Sequence, residues 1–78
     1  MFIRVTNAKY VDGYKIFVIF NDGKEGVVDL TNELSGPIFE PLKEKANFQR
    51  FHVDEVTPTI VWENGADLAP EFLYEQAA

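Results

Sequence analysis

Two Asp-Gly pairs on either side of a short apolar run constrain this fold more than any other feature of the sequence. Asp12-Gly13 and Asp22-Gly23 are turn sequences, because glycine adopts the positive φ of a tight hairpin turn without a steric cost. The residues between them, YKIFVIF at 14–20, are aromatic or β-branched apart from one lysine, which is typical of a strand. We therefore predict a three-stranded antiparallel meander with strands at residues 3–11, 14–20 and 25–30.

The predicted central strand is apolar on both of its faces. Because side chains alternate along a strand, one face carries Tyr14, Ile16, Val18 and Phe20. Phe17 and Ile19 point to the opposite face, and Val27 on the third strand extends this second apolar patch. A strand of this kind is either covered on both sides or forms an interface. Phe17, Ile19 and Val27 are therefore the candidate residues of a protein interface.

The second half of the chain predicts shorter elements. Prolines at positions 37 and 41 exclude one long helix, so we expect one or two short helical turns between residues 31 and 50. A second hairpin is predicted with strands at residues 51–56 and 59–63. A short helix follows at residues 70–76, with proline at its first position, where a missing N–H is tolerated. The expected architecture is a single α+β domain over residues 1–78.

Composition limits how such a domain can be stabilised. The chain has 78 residues, no cysteine and one histidine, which excludes disulfides, thiolate metal sites and multi-histidine sites within one chain. We expect no cofactor. The longest wholly apolar run is residues 16–20, far shorter than a membrane span. Residues 1–9 lack the apolar stretch of a secretory signal, so we expect a cytoplasmic protein.

Charge is distributed unevenly along the sequence. Residues 1–24 contain four basic and two acidic side chains, a net charge of +2, whereas residues 25–78 contain three basic and eleven acidic ones, a net charge of −8. Binding to a phosphate backbone requires clustered lysine and arginine, so we expect no nucleic-acid binding by this chain alone. The acidic part favours a basic protein partner. The alternative explanation is that the charge only keeps a small protein in solution.

Few side chains suggest catalysis. His52 is the only imidazole and Ser35 the only serine, which stands in a Gly-Pro break without a nucleophile-elbow pattern. A nucleophilic triad needs these groups brought together with an orienting acid, so we expect no enzyme activity. A weaker hypothesis is a small metal- or ligand-binding protein that uses Asp54, Glu63 and Asp67.

The segment IVWENGADLAPEFLYE at residues 60–75 is similar to the closing motif of the bacterial domain-of-unknown-function family 2442. VDL at 28–30 and GPIFEPL at 36–42 support the same resemblance. It implies a small bacterial α+β domain with an antiparallel sheet, to which some members add a C-terminal helix-turn-helix. No such segment follows residue 78 here, so DNA binding by that route is not expected. Members are often encoded beside another small protein, which implies an antitoxin-like role. The family has no established catalytic residues.

We expect the motif residues to maintain the fold rather than bind a ligand. An indole is a large core anchor, Asn-Gly supplies a turn, and an aspartate can accept backbone N–H groups before the helix. Proline begins the helix and tyrosine packs it against the sheet. The residues in question are Trp62, Asn64, Gly65, Asp67, Pro70 and Tyr74.

Two hypotheses for function follow. The leading one is a non-enzymatic protein-interaction or regulatory module, an acidic domain that binds a basic partner. The alternative is a self-associating structural domain that forms a homodimer through Phe17, Ile19 and Val27.

Overall fold

The computed structural model describes residues 2–77. The strands are β1 (Val5–Asp12), β2 (Lys15–Phe20), β3 (Glu25–Asp29), β4 (Phe51–Val53) and β5 (Ile60–Trp62). The helical segments are a 3₁₀ turn (Glu40–Lys43), α1 (Lys45–Phe48) and α2 (Pro70–Gln76). β1, β2 and β3 form one antiparallel sheet in that order, and β4 pairs with β5. The predicted α+β architecture is confirmed.

The first hairpin turn lies one residue later than predicted. Asp12 still belongs to β1 and pairs with Lys15, so Gly13 and Tyr14 form the turn. Gly13 has a φ of 50°, which residues with a Cβ rarely adopt. The glycine therefore fixes where the turn occurs, and the alternation of β2 is the one expected from the sequence.

The second hairpin is shorter than predicted, with three residues in each strand. Asp54 ends β4 because its carboxylate accepts the backbone N–H of Thr57 at 2.7 Å, which folds the chain into a loop. The carbonyl of Pro58 accepts the N–H of Val5 at 3.0 Å. The loop thereby joins the second hairpin to the start of β1.

The helical segments agree with the sequence prediction. The 3₁₀ turn and α1 are the two short turns expected between residues 31 and 50, and α2 has the predicted bounds with Pro70 at its start. Within residues 2–77, none of the helices is long and apolar enough to cross a membrane.

One face of the sheet packs against the second hairpin and the helical segments to form the core. The indole N–H of Trp62 donates a hydrogen bond to the carbonyl of Phe48 at 2.8 Å, and the two rings lie 5.8 Å apart. Burial of one such apolar side chain stabilises the folded state by about 1.5–3 kcal/mol relative to leaving it exposed to water. The large side chains that are almost completely buried are Trp62, Phe20, Phe48, Ile16, Leu30, Ile60, Leu73, Val18 and Val28.

The end of α2 lies against β3 at a glycine. A Cβ placed on Gly26 would lie 2.5 Å from the backbone oxygen of Ala77, so glycine permits this close approach. Gly26 pairs with Val18, whose side chain is in the core. The end of the helix therefore lies on the inner side of the sheet.

Candidate protein interface

The strand register arranges nine residues in three rows on the sheet face that points away from the core, here called the outer face. Residues directly opposite one another in an antiparallel pair project to the same side. From β1 across β2 to β3, the rows are Asp12, Lys15 and Asp29; Lys9, Phe17 and Val27; and Asn7, Ile19 and Glu25. The three predicted interface residues are therefore neighbours.

Phe17, Ile19 and Val27, the apolar patch, lie at the centre of the outer face and towards β3. Phe17 and Ile19 are half-buried, and Val27 is 47% exposed. None of the three belongs to the core cluster or to the side chains that pack against it. Phe17 and Ile19 are therefore half-buried without being part of the core. That the patch binds a partner stays a prediction.

A surface cavity of about 150 Å³ adjoins the patch on the side of β1. Its lining is Asn7, Ala8, Lys9, Phe17 and Ile19. The register of β1 shifts between Val5 and Asn7, and such a bulge redirects the side chains that follow it. The cavity therefore combines apolar and polar side chains, and its polar members were not anticipated from the sequence.

Charged side chains surround the patch. The outer rows contain two lysines and three acidic residues, among them Asp29 beside Lys15. The hydroxyl of Thr31 donates a hydrogen bond to the Asp29 carboxylate at 2.6 Å, and the Thr31 N–H donates another at 3.0 Å. These two bonds, with a smaller contribution from Lys15, lower the pKa of Asp29. Asp29 is therefore ionised at neutral pH.

The first residues of the motif form a turn at the end of β5. The side-chain amide of Asn64 donates to the carbonyl of Ile38 at 2.8 Å, and its oxygen accepts the N–H of Ala66 at 3.1 Å. Gly65 has a φ of 90°, a conformation suited to glycine. Asn64 therefore ties this turn to the segment before the 3₁₀ turn, while Trp62 is buried beneath it.

Asp67 differs from the expectation that its carboxylate accepts backbone N–H groups. Asp67 forms an isolated backbone bridge with Val61, and its side chain is exposed. Within residues 2–77, the carboxylates that accept a backbone N–H are those of Asp22, Asp29 and Asp54, and Asp67 is not among them. Asp67 therefore contacts β5 through its backbone, while its side chain faces solvent.

Pro70 and Tyr74 lie on α2, and Tyr74 joins this helix to the β2–β3 turn. Its hydroxyl donates to the Asp22 carboxylate at 2.5 Å. This bond is the main reason why the pKa of Asp22 is lowered and the pKa of Tyr74 is raised. The ammonium of Lys24 lies 3.9 Å from the centre of the Tyr74 ring and donates to the Tyr74 carbonyl at 3.0 Å. Asp22 therefore holds the hydroxyl of Tyr74, and Lys24 holds its ring and its carbonyl.

A second cavity, of about 170 Å³, lies beside Trp62 and Asn64. The guanidinium of Arg50 and the carboxylate of Glu63 lie at its edge, 3.7 Å apart, and both side chains are largely exposed. Exposed ion pairs of this kind contribute little to stability. The two charges are already matched to each other.

Comparison with known proteins places the sequence in a family. A model of the family described as "Protein of unknown function (DUF2442)" matches residues 5–78. The chain belongs to this family. The resemblance identified from the closing motif is thus confirmed. No curated protein matches the chain.

A solved structure shares the fold of this DUF2442 domain. It is a crystal structure named "putative DNA binding protein", from Nitrosomonas europaea, with a TM-score of 0.84 and 20% sequence identity. The alignment covers 99% of this chain and 50% of that protein. The present chain therefore spans half the length of its structural neighbour, and at this identity the likeness concerns the fold.

The remaining candidate residues of the DUF2442 domain lie on separate parts of the surface. His52 is exposed on β4 opposite Val61, and Ser35 is exposed in a loop. No three histidine, cysteine or acidic residues between positions 2 and 77 are grouped so that they could hold a metal ion. Asp54, Glu63 and Asp67 are consequently not brought together.

Proposed function

We propose that this domain is a non-enzymatic protein-interaction module that binds a partner protein through its outer face. The observation that carries the proposal is the apolar patch, in which Phe17, Ile19 and Val27 lie side by side outside the core. Contiguous exposed apolar surface with a polar rim is characteristic of interaction sites. The charged side chains around the patch would orient the partner and disfavour proteins whose charge does not match.

A basic partner fits the charge of the domain. The chain has a net charge of −6, and residues 25–78 alone have −8. Opposite net charges accelerate association and disfavour partners of like charge. The family resemblance, with members encoded beside a second small protein, supports an antitoxin-like regulatory role for such a complex.

Nucleic acid is a less suitable partner for this chain alone. The structural neighbour is named a "putative DNA binding protein", but it is twice as long, and half of it has no counterpart here. A nucleic-acid site needs clustered basic side chains, whereas the outer rows contain only Lys9 and Lys15 among three acids. We therefore propose that any DNA contact in such longer proteins belongs to their additional part.

The direct test is co-expression with the product of the neighbouring gene and co-purification at low salt. Wild type, Ile19→Lys and Val56→Lys are compared. Ile19 lies in the patch, whereas Val56 is 90% exposed in a loop and supplies a matched control with the same change of charge. We expect wild type and the Val56 variant to retain the partner and the Ile19 variant to lose it. Equal retention by all three variants, or no co-purification with wild type, would contradict the proposal.

Self-association through the same patch is the second candidate function. It is favoured by the contiguity of the patch, because a two-fold dimer uses one surface twice. Sedimentation at high protein concentration distinguishes the two candidates. A dimer that Ile19→Lys converts to a monomer supports self-association, and a strict monomer excludes it.

A further inference from the structure

The two edges of the three-stranded sheet are not equivalent. On β1, the N–H of Val5 donates to the carbonyl of Pro58 at 3.0 Å, and the N–H of Ala8 donates to the side chain of Asn7 at 2.8 Å. The register of β1 also shifts twice, between Val5 and Asn7 and between Tyr10 and Asp12. Bulges and occupied N–H groups prevent another strand from pairing with an edge. β1 is thus protected.

The β3 edge has none of these protections in the part of the chain that the structure describes. The N–H of Phe20 donates to the Lys24 carbonyl at 2.8 Å, and the N–H of Leu30 donates to the Tyr14 carbonyl at 2.9 Å. The register of β3 on β2 is continuous between these two bonds. Because bonding alternates along an antiparallel strand, the even-numbered residues 24–30 bond to β2. The backbone groups of Glu25, Val27 and Asp29 therefore point away from the sheet.

The side chains of the same three residues determine which sequence could pair with this edge. Glu25, Val27 and Asp29 are all exposed and occupy successive positions on the outer face. The order along the edge is acidic, apolar, acidic. A strand added beside β3 would have a side chain directly opposite each of them, at the distance where cross-strand pairs interact.

We propose that the β3 edge accepts an extended segment of a partner protein in which a basic residue, an apolar residue and a second basic residue alternate with other residues. This inference rests on the proposed function and names the part of the partner that binds. Backbone hydrogen bonds to Glu25, Val27 and Asp29 supply affinity, and the alternate side chains supply specificity, as in other strand additions. The apolar residue beside Val27 would enlarge the apolar patch by one strand.

A second copy of this chain is a poorer occupant of the same edge. An antiparallel pair of β3 strands centred on Val27 would place Glu25 of each copy opposite Asp29 of the other. Like charges directly opposite each other destabilise a strand pair. Charge therefore favours a basic segment of a different protein.

The test mixes the labelled full chain with the peptide Thr-Lys-Thr-Val-Thr-Lys-Thr as a probe. Binding is monitored by NMR and by amide hydrogen exchange of the protein. At a peptide concentration about ninefold above Kd, exchange at Glu25, Val27 and Asp29 is expected to slow about tenfold. A peptide with glutamate in place of both lysines should bind more weakly. Replacing both Glu25 and Asp29 by lysine should reverse that preference, by about tenfold if two cross-strand charge pairs are exchanged.

Two methylated peptides test the direction of the hydrogen bonds. Methylation of the valine nitrogen removes an N–H that bonds to β3, so it should abolish binding. The nitrogen of the next threonine points away from β3, so its methylation should be tolerated. Equal effects of the two methyl groups, or no protection at the three amides, would overturn the edge proposal. If the Ile19→Lys variant still loses its partner in that case, the proposed function stands without the edge. If the peptides behave as expected but no partner is retained, the proposed function fails instead.

Discussion

The hydroxyl of Tyr74 donates a hydrogen bond to the carboxylate of Asp22 across 2.5 Å, although the two residues are 52 positions apart. The bond joins the last helix to the β2–β3 turn, and the Tyr74 ring also packs at 5.0 Å against the ring of Phe20 in the core. Since α2 is only seven residues long, it has little stability of its own. Its position depends on these contacts with the sheet.

Replacing Tyr74 by phenylalanine should change how stability depends on pH. The hydrogen bond lowers the pKa of Asp22 below its ordinary value of 3.8, so it stabilises the folded chain above that pH and is lost as the pH falls through the lowered pKa. Tyr74→Phe removes the bond but retains the ring. We expect a lower Tm than wild type at pH 6, and a difference that shrinks below pH 3.8, as measured by thermal unfolding. The Asp22→Asn variant should likewise show a Tm that depends less on pH than that of wild type. A Tm difference between wild type and Tyr74→Phe that is independent of pH would contradict this account.

Replacing Gly26 by alanine should displace the end of α2. The new Cβ would lie 2.5 Å from the backbone oxygen of Ala77, and overpacking of this kind typically costs about 1–3 kcal/mol. Thermal unfolding measures the loss of stability. Amide exchange should show that the loss of protection is concentrated in α2. In a chain that ends at Gln76 the obstructing atoms are gone, so Gly26→Ala should be neutral or slightly stabilising there. An equal penalty in both chains would show that the glycine is needed for another reason.

The sequence was sufficient for features that depend on local geometry. Gly13 and Gly23 have positive φ, so their positions mark the two hairpin turns of the meander. Alternation within residues 14–20 predicted which side chains enter the core. Proline predicted the start of α2. The closing motif predicted the family because its residues are close together in the sequence.

Contacts between distant segments could not be predicted in the same way. Nothing near Asp22 indicates that Tyr74 will donate to it, and the Val5–Pro58 bond depends on how the second hairpin is placed. The bulges of β1 are also tertiary features, so the polar cavity beside Phe17 was missed. Strand alternation identified the apolar patch, but only the hydrogen-bond pattern revealed that the β3 edge has no backbone partner among residues 2–77.

Replacing Trp62 by phenylalanine tests whether this motif residue maintains the fold. The change removes the N–H that donates to the buried carbonyl of Phe48 at 2.8 Å and leaves part of the indole site empty. An unsatisfied buried acceptor costs about 1–3 kcal/mol, and the cavity adds to this. We expect urea unfolding with a lower midpoint and an unchanged m-value. Partner retention by the folded fraction should stay the same, and selective loss of binding without loss of stability would assign Trp62 to a binding site.

The charge of the domain predicts that it does not bind DNA by itself. Non-specific DNA binding is driven by release of counterions as lysine and arginine neutralise phosphates, and a chain with a net charge of −6 is repelled by the negatively charged duplex. Fluorescence anisotropy with a labelled duplex at low salt should show no saturable binding below about 100 μM, the weak end of ordinary non-specific binding. A basic peptide of similar length serves as the positive control. Micromolar binding that weakens steeply with added salt would show that Lys9, Lys15 and their neighbours form a basic site despite the acids beside them.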